Sequence, residues 1–298
     1  MMSVSGTRRH ALLAFAALSL VNAGVLFGAP ALADEVKPVD ASRLVTVGGA
    51  VTEIVFDLGL GDKVIARDTT SYFPEKVNRL PDIGYMRALS PEGVLSVNPS
   101  AILMIEGSGP RETLDVLAKA SVPVITVPEG YNSAAIANKI MIVGKALDVE
   151  AKAKELADKV GADVDAAAAE AAKVPDAERK RVLFVLTVTN GKIMAAGSHT
   201  AADGILKLAG AVNATGGFHG YKPLNDEAII GAKPDVILMM DHGGPSVSDE
   251  ELLANPAVAL TPAGKDHKVI RMSSLTLLGF GPRTADAIRK LSQSLYGG

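Results

Sequence analysis

Two stretches of this 298-residue chain share one pattern and predict its architecture. The first reads LSPEGVLSVNPSAILM over residues 89–104, and the second reads LNDEAIIGAKPDVILM over residues 224–239. They align without gaps, and the alignment matches Glu92 with Glu227 and Pro99 with Pro234. Each copy predicts a short capped helix, a proline-containing turn and a buried strand. The sequence therefore indicates two lobes with the same internal design.

Short apolar strands alternate with helical stretches around both copies. Strands are predicted at residues 44–47, 64–66, 102–105, 124–127, 182–186, 236–240 and 269–272. This alternation is typical of mostly parallel sheets that are covered by helices. Residues 133–173 are rich in Ala, Lys and Glu and predict one or two long helices, interrupted near Asp148 and Gly161. The predicted fold class is α/β, with two lobes joined by a long helix and a ligand cleft between them.

The first 33 residues predict an export signal. Arg8 and Arg9 precede an apolar run, and the small residues at 31–33 fit a cleavage site near Ala33. The run is short for a membrane span, which is the alternative, and the arginine pair leaves Sec and twin-arginine export both open. The predicted organisation is a signal peptide over 1–33, an N-terminal lobe over 34–132, a connecting helical segment over 133–174 and a C-terminal lobe over 175–298.

Composition excludes several classes of function. Lys and Arg total 30 against 33 for Asp and Glu, so the chain has no basic excess that would bind nucleic acid. The absence of cysteine excludes disulfides, thiolate metal sites and cysteine nucleophiles. The sequence carries no nucleophile elbow, dinucleotide fingerprint or Walker A motif, and we predict that the protein is not an enzyme.

A resemblance to a known family narrows the function. The segment LPDIGYMRALSPEGVLSVNP (residues 80–99) resembles the region around the haem-coordinating tyrosine of periplasmic haemin-binding proteins. Further matches are MAAGSHTAAD (194–203), GYKPL (220–224) and LGFGPRT (278–284), so the resemblance covers nearly the whole mature chain in order. It implies a substrate-binding protein with two Rossmann-like lobes and a rigid helical connector, related to the cobalamin- and siderophore-binding proteins.

The resemblance also implies cargo and partners. We expect a periplasmic monomer that binds haem and delivers it to an inner-membrane ABC permease dimer with its ATPase, supplied by an outer-membrane receptor system. The alternatives are a ferric-siderophore or cobalamin carrier of the same fold and an exported α/β enzyme whose site has no sequence signature.

Tyr85 is the predicted iron ligand. A phenolate is an established axial ligand of haem, and Arg87 two residues later is predicted to hydrogen-bond the phenolate oxygen, as the resemblance implies. Some relatives carry a second His or Tyr ligand on the first strand of the second lobe, whereas VLFVLTVT (residues 182–189) contains neither. A single tyrosine-ligated haem is therefore expected, and His199 is the candidate for a second ligand.

Five further positions complete the predicted site and its docking surface. Haem propionates are anions that need cations at the cleft mouth, for which the candidates are Arg67, Lys222 and Arg283. Glu92 and Glu227 occupy the first turns of the two repeated helices, where a carboxylate can serve simply to complement the helix dipole. The resemblance implies that the two glutamates dock the protein onto the two permease subunits.

Overall fold

The computed structural model describes residues 36–241 and 247–297, and the predicted signal peptide lies outside these ranges. A four-stranded parallel sheet forms the first lobe. Its strands are β1 (Leu44–Val47), β2 (Val64–Arg67), β3 (Ala101–Ile105) and β4 (Val124–Val127), in the order β2-β1-β3-β4. The helices of this lobe are α1 (Gly49–Asp57), α2 (Pro91–Leu95) and α3 (Arg111–Lys119). Every residue of β1 and β3 is buried, as expected for strands with helices on both faces.

The segment between the lobes is a pair of helices. These are α4 (Ser133–Ala146) and α5 (Glu150–Ala171), which pack against each other. The chain turns at Asp148, which has a φ of 57°, whereas Gly161 lies inside α5. The prediction of an interruption near Gly161 was therefore wrong, because one glycine costs a 22-residue helix only about 1 kcal/mol.

A mixed sheet forms the second lobe. Its strands are β5 (Arg181–Thr189), β6 (Lys192–Ala196), β7 (Val212–Asn213), β8 (Tyr221–Pro223), β9 (Val236–Asp241) and β10 (Val269–Ser273). The order is β10-β9-β5-β6-β8, with β7 paired to β5; β6 and β8 run antiparallel to their neighbours. The helices are α6 (Ala201–Leu208), α7 (Asp226–Ala232), α8 (Asp249–Leu253), α9 (Pro256–Ala259), α10 (Pro262–Lys265), α11 (Ser274–Leu278) and α12 (Thr284–Tyr296). Three 3-10 turns span Gly61–Lys63, Glu75–Arg79 and Asp176–Glu178.

The structure confirms the internal repeat position by position. Ser90 caps α2 by accepting a hydrogen bond from the Gly93 amide (3.0 Å), and Asn225 caps α7 in the same way (2.9 Å). Both turns place the residue before the proline in the left-handed region, with a φ of 50° at Asn98 and 45° at Lys233. The strands β3 and β9 then begin at equivalent positions. The two copies therefore share one backbone design.

The lobes meet through one hydrophobic core and several polar contacts. The inner face of β5 (Val182, Phe184) joins the core that contains β1, β3, α4, α5 and α12, while Leu183 and Val185 belong to a second core on the outer face. This division follows from the two-residue period of a strand. The lobe junction thus forms part of the main core.

Candidate functional site

Tyr85 lies on a loop that is fixed to the end of β2. Asp82 forms a β-bridge with Arg67, and its Oδ1 accepts a hydrogen bond from the Gly84 amide (2.8 Å). Gly84 has a φ of 100°, a conformation that favours glycine, and it turns the chain into Tyr85. The ring of Tyr85 is 43% exposed although the neighbouring Met86 is buried. The sequence therefore builds a rigid turn that presents a phenol to solvent.

Arg87 stands directly beside this phenol. Its Nη1 donates a hydrogen bond to the Tyr85 hydroxyl oxygen at 2.8 Å. A guanidinium stays charged at every physiological pH and stabilises an adjacent phenolate. The pair is thus suited to bind a cationic metal centre through an anionic oxygen.

The charge of the same guanidinium acts on two more tyrosines. Burial raises the pKa of Tyr221, on β8 of the second lobe, and this shift is opposed by the charge of Arg87 and by hydrogen bonding to Thr200 and Ala202. Burial also raises the pKa of Tyr131, and the Arg87 charge again acts in the opposite direction. Arg87 therefore hydrogen-bonds to Tyr85, and its charge also acts on Tyr131 and Tyr221. The sequence analysis missed Tyr131 and Tyr221, although Tyr221 lies within the GYKPL match.

An ion pair between Lys139 and Glu129 lies close to Arg87, whose charge acts on the Glu129 carboxylate. Lys139 on α4 is fully buried; its Nζ lies 3.6 Å from Glu129 Oε1 and donates a 3.3 Å hydrogen bond to the Phe280 carbonyl of the second lobe. Burial lowers the pKa of Lys139 and raises the pKa of Glu129, while the charges of Lys139 and Arg87 act to lower the latter. The Tyr131 and Phe280 rings pack alongside, with centroids 5.0 Å apart.

The protein itself supplies partners to two of the predicted cations. Arg67 pairs with Asp82 at 2.7 Å, and its side chain is 13% exposed. Arg283 forms a two-pronged pair with buried Glu53 (2.6 and 2.9 Å) and stacks over the Phe73 ring at 3.7 Å. Since Glu53 and Arg283 come from different lobes, their pair fastens the junction.

The remaining predicted residues lie on the second lobe or on the outer helices. Lys222 is exposed on β8, with its Nζ 5.4 Å above the Phe218 ring. His199 is exposed after β6, and its Nδ1 lies 2.9 Å from Nδ1 of His219, a contact that the sequence analysis missed. Glu92 and Glu227 are both exposed in the first turns of α2 and α7. The structure thus brings Tyr85 and Arg87 together, and it leaves both glutamates available to a partner.

A hollow of about 1490 Å³ lies elsewhere, between the end of α5, the start of β10 and the end of α12. Its lining alternates acids and bases, including Glu170, Lys173, Asp235 and Lys268. We place the candidate functional site at Tyr85 because its exposed hydroxyl accepts a hydrogen bond from the Arg87 guanidinium, whereas Tyr296, which lines the hollow, uses its hydroxyl on the Gly210 carbonyl and the Lys180 amide.

Comparison with solved structures places the fold among binding proteins. A periplasmic haem-binding protein from Roseiflexus sp. RS-1, in apo form, is 37% identical, with a TM-score of 0.81 over 86% of this chain and 98% of that chain. A periplasmic haem-binding protein in complex with two haems is 40% identical, with a TM-score of 0.79 over 85% of this chain and 97% of that chain.

Sequence relatives agree with this assignment. An uncharacterised ABC transporter substrate-binding lipoprotein of Bacillus subtilis (strain 168) is 26% identical over 259 residues, which cover 86% of this chain and 81% of the relative. A vitamin B12-binding protein of Yersinia pestis (strain Pestoides F) is 31% identical over 84 residues, or 28% of this chain and 30% of the relative. The model of the periplasmic binding protein family matches residues 44–275. The chain therefore belongs to the periplasmic binding protein family.

Proposed function

We propose that this protein binds haem in the cleft between its lobes and delivers it to an inner-membrane ABC importer. The observation that carries the proposal is the exposed Tyr85 hydroxyl with its 2.8 Å hydrogen bond from Arg87. The solved relatives that cover almost the same length are haem-binding proteins. Tyr85 supplies the oxygen that binds ferric iron, and Arg87 donates a hydrogen bond to that oxygen.

The surrounding residues fit a flat, aromatic, dianionic cargo. The rings of Tyr131 and Tyr221 provide apolar surface for the porphyrin, and exposed Lys222 provides a cation for a propionate. Arg67 and Arg283 already neutralise Asp82 and Glu53, so we assign them to the framework of the cleft. His199 lies on the second lobe, paired with His219. The activity is capture and release, without catalysis.

The cellular setting follows from the same proposal. The leader at residues 1–33 directs export, cleavage occurs near Ala33, and the mature monomer works in the periplasm between an outer-membrane receptor system and the permease. A cobalamin carrier is the second candidate, since the vitamin B12-binding relative matches part of the chain. Haem bound through tyrosine gives a Soret band and a charge-transfer band that distinguish it from a cobalamin or a siderophore.

The decisive experiment is a haemin titration of the mature chain and of Tyr85→Phe, followed by absorption spectroscopy. The variant keeps the ring but removes the iron–oxygen bond, so we expect an affinity loss of about 100-fold or more and loss of the charge-transfer band. Arg87→Ala should cost roughly tenfold, because it acts through Tyr85. Tyr296→Phe, which changes a tyrosine bonded to Gly210 far from the cleft, is the matched control. An unchanged spectrum and affinity in Tyr85→Phe would refute the proposed ligand.

Docking to the permease has its own test. Exposed ion pairs are individually weak, so we expect Glu92→Lys or Glu227→Lys alone to have little effect on haem uptake by cells. The double variant should abolish most uptake while haem affinity is unchanged, since it opposes like charges at both permease subunits. Glu150→Lys/Glu250→Lys is the control, because it changes the net charge equally at two other exposed first-turn positions. Normal uptake by the Glu92/Glu227 double variant contradicts the docking role.

A further inference from the structure

Two histidines form a preorganised pair on the rim of the second lobe. Nδ1 of His199 lies 2.9 Å from Nδ1 of His219, and the ring centroids are 4.6 Å apart. Both side chains are exposed, and they are separated by 20 residues in sequence. Nothing in the haem proposal requires this pair.

The backbone holds the two histidines in place. Ser198 forms an isolated β-bridge with His219, through hydrogen bonds from the Ser198 amide to the Phe218 carbonyl (2.7 Å) and from the Gly220 amide to the Ser198 carbonyl (3.0 Å). Gly197 permits the close approach, since a Cβ there would lie 2.1 Å from the Phe218 carbonyl oxygen. His199 has a φ of 59°, a left-handed conformation that is unfavourable for a non-glycine residue. The fold therefore imposes the pairing.

The distance between the two nitrogens suits a particular metal geometry. Metal–imidazole bonds are about 2.0–2.1 Å long, so two nitrogens bound at a right angle lie ~2.9 Å apart, whereas tetrahedral binding separates them by ~3.3 Å. Right-angle nitrogen ligation is typical of square-planar and tetragonal Cu²⁺ and Ni²⁺ sites. Within the described residues, no group of three or more His, Asp or Glu side chains could hold a metal. Water would fill the other positions around an ion bound here.

We propose that His199 and His219 form a two-imidazole site for a tetragonal divalent metal ion, with Cu²⁺ as the best-fitting ion. Copper ranks highest because divalent ions bind nitrogen ligands in an order that peaks at Cu²⁺. Ser198 Oγ does not compete for the site, since it donates its proton to the Phe218 carbonyl (2.9 Å) and lies 3.4 Å from His219 Nδ1. Metal binding breaks the hydrogen bond between the two nitrogens, and the histidine that donates it moves its proton from Nδ1 to Nε2, so that both Nδ1 atoms present a lone pair to the ion.

The test is titration of the untagged mature chain with CuCl₂, by calorimetry and electron paramagnetic resonance. We expect one Cu²⁺ per chain and a hyperfine pattern from two equatorial nitrogens. His199→Asn and His219→Asn should each weaken binding by about 100-fold, because a chelate becomes a single contact. Asparagine tolerates the left-handed backbone, so His199→Asn preserves the loop.

His267→Asn is the matched control, since His267 is also exposed and left-handed, with a φ of 51°, but lies between α10 and β10. It should keep the wild-type affinity. Circular dichroism of each variant verifies that the chain is folded. Equal Cu²⁺ affinity in the wild type and both rim variants, or a signal from one nitrogen only, overturns the proposal and leaves a proton-sharing pair.

Discussion

The two walls of the cleft differ in their chemistry although the lobes that carry them share one design. The wall from the first lobe is charged: Tyr85 and Arg87 face the cleft, and the Glu129–Lys139 pair lies behind them. The wall from the second lobe carries Tyr221, which hydrogen-bonds with Thr200 at the start of α6, and the exposed Lys222 beside it. The repeated helix, turn and strand are superimposable in sequence register on both sides.

This difference shows which part of the molecule specifies binding. The repeat builds the frame, and the loops at the carboxyl ends of the strands supply the reactive groups, as is usual in open α/β sheets. In the haem proposal one wall supplies a metal-binding oxygen, and the other supplies ring surface and a cation. Predictions that disturb one wall at a time can separate these two roles.

The largest effect is expected for Glu129→Gln on the charged side. The substitution removes the carboxylate charge beside fully buried Lys139, and an uncompensated buried charge costs roughly 3 kcal/mol. Lys139→Met should cost only about 1 kcal/mol, because the Glu129 side chain is 29% exposed and water can solvate it. Urea unfolding of both variants at pH 7 measures the difference.

The difference in unfolding free energy between Glu129→Gln and the wild type should depend on pH. Burial already lowers the pKa of Lys139 below its ordinary value of 10.5, and loss of Glu129 lowers it further. A buried lysine whose pKa is lower in the folded than in the unfolded chain destabilises the fold while it is charged. This penalty decreases as the pH rises from the folded pKa towards the unfolded pKa. The deficit of Glu129→Gln relative to the wild type should therefore shrink between pH 7 and 10. A constant deficit would show that the lost energy is not that of a buried cation.

A smaller effect is expected for substitutions of Tyr221 on the second lobe. Tyr221→Phe keeps the ring and should change haem affinity by no more than about twofold, whereas Tyr221→Ala removes the ring and should cost about tenfold. Tyr85 should behave in the opposite way, since its oxygen rather than its ring carries the binding. The same haemin titration measures all of these variants. A large loss in Tyr221→Phe would mean that the second wall also supplies an oxygen ligand.

Much of the fold could be predicted because it is written in local patterns. The strands β1 and β4 have the predicted bounds, and the repeat predicted the turns before Pro99 and Pro234. The hairpin of β5 and β6 was missed, although Asn190-Gly191 is a strong signal for such a turn and both residues have positive φ. The apolar run of β5 predicts a single strand, so the turn that follows it and leads into β6 was not recognised.

The site was predictable only where its partners are neighbours in sequence. Tyr85 and Arg87 are two residues apart, and their hydrogen bond follows from local geometry. The carboxylates that engage Arg67 and Arg283 lie 15 and 230 residues away, so the sequence could not show that these cations already have partners. Tyr221 reaches the Arg87 charge only because the lobes pack together. Contacts that depend on this packing require the structure.

The smallest effect is expected for the N-terminal caps of the repeated helices, a feature that the two lobes share. Ser90→Ala and Asn225→Ala each remove a side-chain oxygen that accepts from the amide three residues later, so each should cost about 1 kcal/mol of unfolding free energy. Haem affinity should stay unchanged in both, because the caps support the frame and lie outside the cleft walls. Ser90→Asp and Asn225→Asp, which keep a capping oxygen, should recover most of the stability. Urea unfolding with parallel haemin titration measures both quantities. A loss of haem affinity in one of the two alanine variants would show that the capped helix of that lobe also positions the residues that bind haem. The repeated elements and the binding loops would then not act independently.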